Sequence, residues 1–139
     1  MKTILHKAVL GFICLFLLAT TCEKLPQFDK RLVIDNNSNH ELFILKGITY
    51  PDTAIINERP LINNDFIIKP NTRKVYANPL SWEDDFNQIP SDTVMFFLFD
   101  NELLSYASWD SVSNNYLILK RYDLSLEDLQ GMNWTITYP

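Results

Sequence analysis

The sequence predicts a mainly β domain of about six or seven short strands with two or three short helices, arranged as a β-sandwich. Three observations carry this. Short runs rich in Val, Ile, Phe and Tyr recur along the chain, bounded by Asn, Asp, Ser or Pro. The run Val94-Met95-Phe96-Phe97-Leu98-Phe99 is apolar without interruption, as in a strand covered on both faces. Helical signals are confined to brief Ser-led, acid-rich segments. An immunoglobulin-like sandwich or a similar one fits this count; an α+β layer with helices on one face is the alternative.

Taken in order, Leu32-Val33-Ile34 and Leu42-Phe43-Ile44-Leu45 are β-rich runs around the turn chemistry of Asp35–Asn39, and read as a hairpin. An irregular stretch runs from Tyr50-Pro51-Asp52-Thr53 to Asn63-Asn64-Asp65. Phe66-Ile67-Ile68 and Val75-Tyr76-Ala77 read as a second hairpin around Pro70-Asn71, where Pro presets φ and Asn tolerates a left-handed conformation. Ser81 caps a short helix whose first turn holds Glu83, Asp84 and Asp85, placed where the helix dipole favours acids. Val94–Phe99 is the central strand. Ser108-Trp109-Asp110 opens another helical turn, and Tyr116-Leu117-Ile118-Leu119 is a further strand. Ser125 and Asp128 form a capping box, with Gly131 suited to that helix's C-terminal cap. Trp134, Ile136 and Tyr138 alternate with Thr135 and Thr137 in a half-exposed last strand.

The first residues address the protein. Lys2 and Lys7 flank a positive start, the 12 residues Ala8–Ala19 are apolar or small, and Thr20-Thr21-Cys22 follows. A spanning helix needs about 20 apolar residues, so this run is the core of a secretory signal peptide rather than an anchor. Leu18-Ala19-Thr20-Thr21-Cys22 resembles a bacterial lipobox, which makes Cys22 the expected lipid attachment point. The expected division is a signal peptide over residues 1–21, a membrane tether over 22–30 and one globular β-rich domain over 31–139. Multiple acyl chains at Cys22 anchor stably, at about 0.8 kcal/mol per buried CH₂. The expected location is the outer membrane of a cell envelope, on its periplasmic or its external face.

Composition excludes several chemistries. The whole chain carries a formal charge of −5. Cleavage before Cys22 removes Lys2 and Lys7, leaving 10 basic against 17 acidic residues. An acidic domain without a basic stripe is a poor nucleic-acid partner. Cys14 leaves with the signal, so an acylated Cys22 leaves no free thiol and no disulfide. His40 is the one histidine outside the signal, and it sits in the polar turn Asn36–Glu41. That argues against a zinc site or a Ser-His-Asp triad, and Gly47 and Gly131 alone build no phosphate cradle. No catalytic residue, metal or cofactor is expected on these grounds.

Tyr50-Pro51-Asp52-Thr53, Ser81-Trp82-Glu83-Asp84-Asp85-Phe86, the block Leu119–Leu129 and Asn133-Trp134-Thr135-Ile136-Thr137-Tyr138-Pro139 resemble a group of uncharacterised small lipoproteins of Bacteroidales gut bacteria. The resemblance covers most of the chain after Cys22. It implies the envelope address and brings no activity or catalytic residue with it.

Three constellations bear on function. Glu83-Asp84-Asp85 with Asp100 and Glu102 offers carboxylates for Ca²⁺ or for acid–base work on a sugar, against the plainer reading of helix N-terminal acids on a solvated face. Trp82 and Trp109 are candidates for an aromatic surface that stacks on sugar rings or anchors a protein, against the plainer reading of core packing. Asp52-Thr53-Ala54, Asp92-Thr93-Val94 and Asp110-Ser111-Val112 resemble the Asp-(Ser/Thr)-apolar sequon of Bacteroidales O-glycosylation, making Thr53, Thr93 and Ser111 candidate acceptors. The leading functional expectation is a lipid-anchored envelope module that binds or supports a glycan or another envelope protein. The alternatives are a small hydrolase using the Glu83–Asp85 region with Asp100, and an inhibitor or immunity-like protein.

Overall fold

The computed structural model describes residues 31–51, 55 and 59–139. Cys22, the signal and tether segments, and Thr53 lie outside the described residues. Within them, seven short strands form two open sheets accompanied by four short helices. The order is β1 (Arg31–Asn36), β2 (Leu42–Gly47), β3 (Ile67–Ile68), β4 (Thr72–Ala77), α1 (Trp82–Phe86), β5 (Val94–Asp100), α2 (Asn101–Tyr106), α3 (Trp109–Asn114), β6 (Lys120–Leu124), α4 (Leu126–Gly131) and β7 (Thr135–Tyr138). The first sheet runs β4-β1-β7 and the second β3-β2-β5-β6.

Neither expected hairpin forms. β1 pairs with β4 and β7, whereas β2 pairs with β3 and β5, so Asn37–Glu41 carries the chain from one sheet to the other. Lys69–Asn71 does the same in reverse between β3 and β4. The buried side chain of Asn36 explains why the chain crosses over. Its amide donates to the carbonyls of His40 (2.8 Å), Ile68 (3.3 Å) and Lys69 (3.0 Å), and its oxygen accepts from the Ser38 amide (3.0 Å) and hydroxyl (2.7 Å). The Asn71 amide then donates to the Ser38 carbonyl at 3.2 Å. The two corners are thereby bonded to each other, and Asn71 takes the left-handed φ of 52° anticipated for it.

Crossing between sheets sets the apolar faces of β1 and β2 opposite one another instead of side by side. Leu32, Ile34 and Ile136 of the first sheet share a core with Leu42, Ile44, Ile68, Val94, Phe96 and Leu98 of the second. Trp82 and Phe86 of α1 and Leu129 of α4 complete this core. β5 lies inside the second sheet and is buried on both faces, as its unbroken apolar run requires. Met95, Phe97 and Phe99 point away from the first sheet and pack with Phe43, Leu104, Trp109 and Val112, so α2 and α3 cover the far face.

Other boundaries differ from the sequence reading. α2 had no recognised signal, yet Asp100 caps it by accepting from the Glu102 amide at 2.9 Å. The strand expected at Tyr116–Leu119 begins at Lys120, because Tyr116 adopts φ 53° and breaks the extended backbone. The capping box of α4 forms: the Ser125 hydroxyl accepts from the Asp128 amide, and the Asp128 carboxylate accepts from the Ser125 amide and hydroxyl. Those two bonds hold the Asp128 carboxyl below its usual range. Gly131 is not the left-handed cap; Asn133 (φ 50°) and Trp134 (φ 55°) take that conformation. The Trp134 amide donates to the Leu129 carbonyl at 2.8 Å and its ring lies tilted against Trp82 at 6.4 Å, so packing holds a backbone that its side chain disfavours.

Candidate functional site

The site begins where β3 stops. Asn63 caps a 3₁₀ turn over Asn64–Phe66, its side-chain oxygen accepting from the Asp65 amide at 2.7 Å, and this turn leads straight into β3. β3 therefore pairs with β2 only at Leu42 and Phe43. From Ile44 to Gly47, β2 is laddered on its β5 side alone among the described residues.

A cleft of about 260 Å³ lies against this half-paired stretch. Phe43, Ile44, Leu45 and Lys46 line it together with Pro60, Leu61, Phe66 and Tyr76. Successive strand residues point to opposite faces, so a cleft lined by four in a row opens on the edge of the strand. Phe66 forms its aromatic floor, edge-on to Phe43 at 6.5 Å and tilted against Tyr76 at 5.8 Å. Leu61 stands at its rim, 88% exposed.

Polar groups converge at the inner end. Lys46 shares the inward face of β2 with Leu42 and Ile44, and its ammonium pairs with the Asp85 carboxylate of α1. Both side chains are about five-sixths buried, at 16% and 17% exposure. The same ammonium lies 5.2 Å over the Trp82 ring. Tyr76 completes the group; burial first, and then the nearby Asp85 charge, push its phenol above the ordinary value. At neutral pH the site is a neutral, mostly apolar slot with a phenolic hydroxyl, set against a strand that has no second ladder partner over Ile44–Gly47 among the described residues. Its volume falls below the roughly 300–1,000 Å³ of small-molecule sites and suits one or two side chains.

A larger cleft of about 500 Å³ lies across β3, lined by Glu41, Asn64, Ile67, Lys69, Thr72, Arg73 and Lys74. Most of its polar groups are already engaged by the fold. Arg73 bonds Asp35 at 2.6 Å, Lys74 donates to the carbonyls of Asn64 and Ile67, Thr72 donates to the Lys69 carbonyl, and Glu41 accepts from Asn101. The smaller cleft is thus the better candidate.

The residues singled out from the sequence fall as follows. Trp82 is fully buried and Trp109 is 6% exposed, so neither presents an aromatic surface; both are core, packed on Phe96 and Phe99 respectively. The carboxylates are not gathered. Asp84 accepts from the Ser81 hydroxyl at 2.6 Å, Asp85 is held by Lys46, and Asp100 caps α2 while bonding His40 at 3.0 Å. Asp100 stands opposite Leu42 in the ladder, and Lys46, which holds Asp85, stands opposite Phe96. Four residues of strand, about 13 Å, separate those positions. No group of three or more His, Cys, Asp or Glu side chains is arranged to hold a metal among the described residues. Ser111 is exposed on α3, and Thr93 is half-buried at the entry to β5. Lys46 and Leu61 went unrecognised. The signals were a charge in phase with Leu42 and Ile44, and an apolar residue stranded in the loop before Asn63.

No protein-family model, curated protein or solved structure matches this chain.

Proposed function

We propose that this protein is a lipid-anchored binding module of a bacterial cell envelope. Cys22 carries the acyl chains, residues 22–30 form the tether, and the domain from Arg31 onward presents the cleft beside Ile44–Gly47 to an envelope partner. The observation that carries the binding role is that cleft: an apolar slot, rimmed by an exposed leucine, against a strand edge with no second neighbour among the described residues. The dispersal of Asp85 and Asp100 favours binding over hydrolysis by a carboxylate pair. The shared core between the two sheets supports a sandwich arrangement, with α2 and α3 as an added outer layer. The exposure of Ser111 supports its use as a glycosylation acceptor.

The test is site-specific photo-crosslinking in the native host, with the reactive residue at Leu61 or, as control, at Tyr106, which is also well exposed. A discrete adduct in the envelope fraction from position 61 and none from 106 is expected. Equal labelling from both positions, or none from either, overturns the reading. Intact mass of the membrane-extracted protein tests the anchor: the expected value is that of Cys22–Pro139 plus acyl chains.

A further inference from the structure

We infer that the end of the domain at which β1 begins seats on the lipid surface, with Ile48, Tyr50 and Leu80 dipping into its interface. This goes beyond the binding reading above and rests on its lipid anchor at Cys22.

Topology gathers three chain segments at that end. β1 starts at Arg31, opposite Ala77, where β4 finishes. β1 climbs to the corner at Asn36, and β2 descends from the same corner to finish at Gly47. Trp82 ties the lower halves of the two sheets together. Its ring lies 6.3 Å from Tyr76 of β4, 6.4 Å from Trp134 just before β7, and 6.0 Å from Phe96 of β5, which pairs with Lys46 of β2. The start of β1 and the finishes of β2 and β4 therefore share one end of the molecule.

The residues just past those finishes are apolar and open to solvent. Ile48 is 51% exposed and Tyr50 38%, and after Ala77 and Asn78 come exposed Pro79 and Leu80, the latter at 43%. The opposite corner, Asn37–Glu41 with Lys69–Asn71, holds no exposed large hydrophobic residue. Tyrosine and branched aliphatic side chains suit the boundary between headgroups and acyl chains, the phenol staying at headgroup level. Charge gives this end no strong sign, because Lys30 and Arg31 lead into it and exposed Asp84 follows Leu80. Apolar contact carries the docking, and neutral lipid suffices.

The length of chain before Arg31 identifies the occupant. Nine peptide steps separate Cys22 from Arg31 and reach at most about 32 Å. A compact domain of about 110 residues is about 34 Å across. Such a chain cannot run from Arg31 back past the domain to seat the opposite corner on the lipid that holds Cys22. The surface nearest the exposed Ile48, Tyr50 and Leu80 is thus the bilayer itself.

The test uses protein extracted from its native membrane and placed in phosphatidylcholine vesicles. With Cys14 cleaved off and Cys22 acylated, Thr49→Cys provides a single thiol for a fluorophore beside Ile48 and Tyr50, and Asn39→Cys provides one at the opposite corner. Phosphatidylcholine brominated on its acyl chains is expected to quench position 49 at least threefold more than position 39. Adding Ile48→Ser and Leu80→Ser to the Thr49→Cys protein is expected to remove most of that excess while the urea midpoint stays unchanged. Equal quenching at the two positions overturns the docking. So does an excess that survives the two serines, which makes it mere nearness to the tether. Absent quenching, with a discrete protein adduct from a photoreactive residue at position 49 in cells, makes the occupant a protein and overturns it too. Intact mass separates the failures: protein without acyl chains sinks the anchor and the docking together, whereas acylated protein with any of these results sinks the docking alone.

Discussion

Replacing Asn36 with Ala isolates the joint between the two sheets. The side chain is completely buried and makes five hydrogen bonds, reaching both corners. A net value near 1 kcal/mol applies to an ordinary hydrogen bond, and a buried group left unsatisfied costs about 1–3 kcal/mol. Three donations share two amide protons, so they do not count in full. Ser38 keeps solvent access, so its loss is small. The main costs are the stranded carbonyl of buried Ile68 and the lost bonds between the corners, since the Lys69 carbonyl still accepts from Thr72, and the total comes to about 3 kcal/mol. For a domain of this size that lowers Tm by more than about 10 °C, taking roughly 4 °C or more per kcal/mol. Urea titration followed by tryptophan fluorescence measures it, and an unchanged m-value shows that both folded states are equally compact. Asn36→Asp sharpens the test. It is isosteric, but its ionised form faces carbonyls, so its folded-state pKa is raised. Its stability deficit is then smallest below the unfolded aspartate pKa of about 3.9 and grows as pH rises. A loss under about 1 kcal/mol for Asn36→Ala, or a deficit in Asn36→Asp that does not depend on pH, refutes the corner argument.

Other outcomes follow from the same geometry. Phe96→Ala, which empties the space against Tyr76 and Trp82, is expected to cost about 3–5 kcal/mol in urea titration. Tyr76→Phe leaves stability at pH 7 nearly unchanged and flattens its decline above about pH 10, where the unfolded phenol ionises before the buried one; urea midpoints between pH 7 and 10.5 test this. Asp128→Asn removes part of the acid sensitivity, since the depressed carboxyl contributes stability above the unfolded value that is lost as pH falls through the folded one; an unaltered acid profile counts against the capping box. Leu61→Ser shifts stability by less than about 0.5 kcal/mol, because the side chain is exposed and leaves no cavity; an unchanged urea midpoint is the expected result.

Periodicity and capping were legible because they are local. Val94–Phe99 announced a strand covered on both sides, and Ser81, Ser108 and Ser125 each cap the helix they precede. Topology was less legible. Asp35–Asn39 has the composition of a hairpin turn, and composition does not say whether the next strand returns to its neighbour or crosses the core. That choice is made by Asn36 against Ile68 and Lys69, more than 30 residues on. β6 was misplaced because Leu117 and Ile118 look like strand, whereas the positive φ at Tyr116 delays pairing to Lys120. At the site, Lys46 was visible as a charge in an apolar phase, but its partner Asp85 read as one more acid in a helix turn. Trp82 and Trp109 were equally ambiguous, because a tryptophan in sequence carries no mark of which side of a helix faces the core.

The parallel contact between β1 and β7 joins Val33 to Thr135 and Asn36 to Tyr138. It spans about a hundred residues of chain, among the longest loops the molecule must close, and such non-local pairings slow folding. Until Thr135–Tyr138 arrive, β1 has one neighbour, and the core that Ile136 joins beside Ile34 stands open to water. A polypeptide cut off after α4 keeps six strands and four helices yet exposes its interior, and would serve as bait for any holdase that patrols unfinished chains.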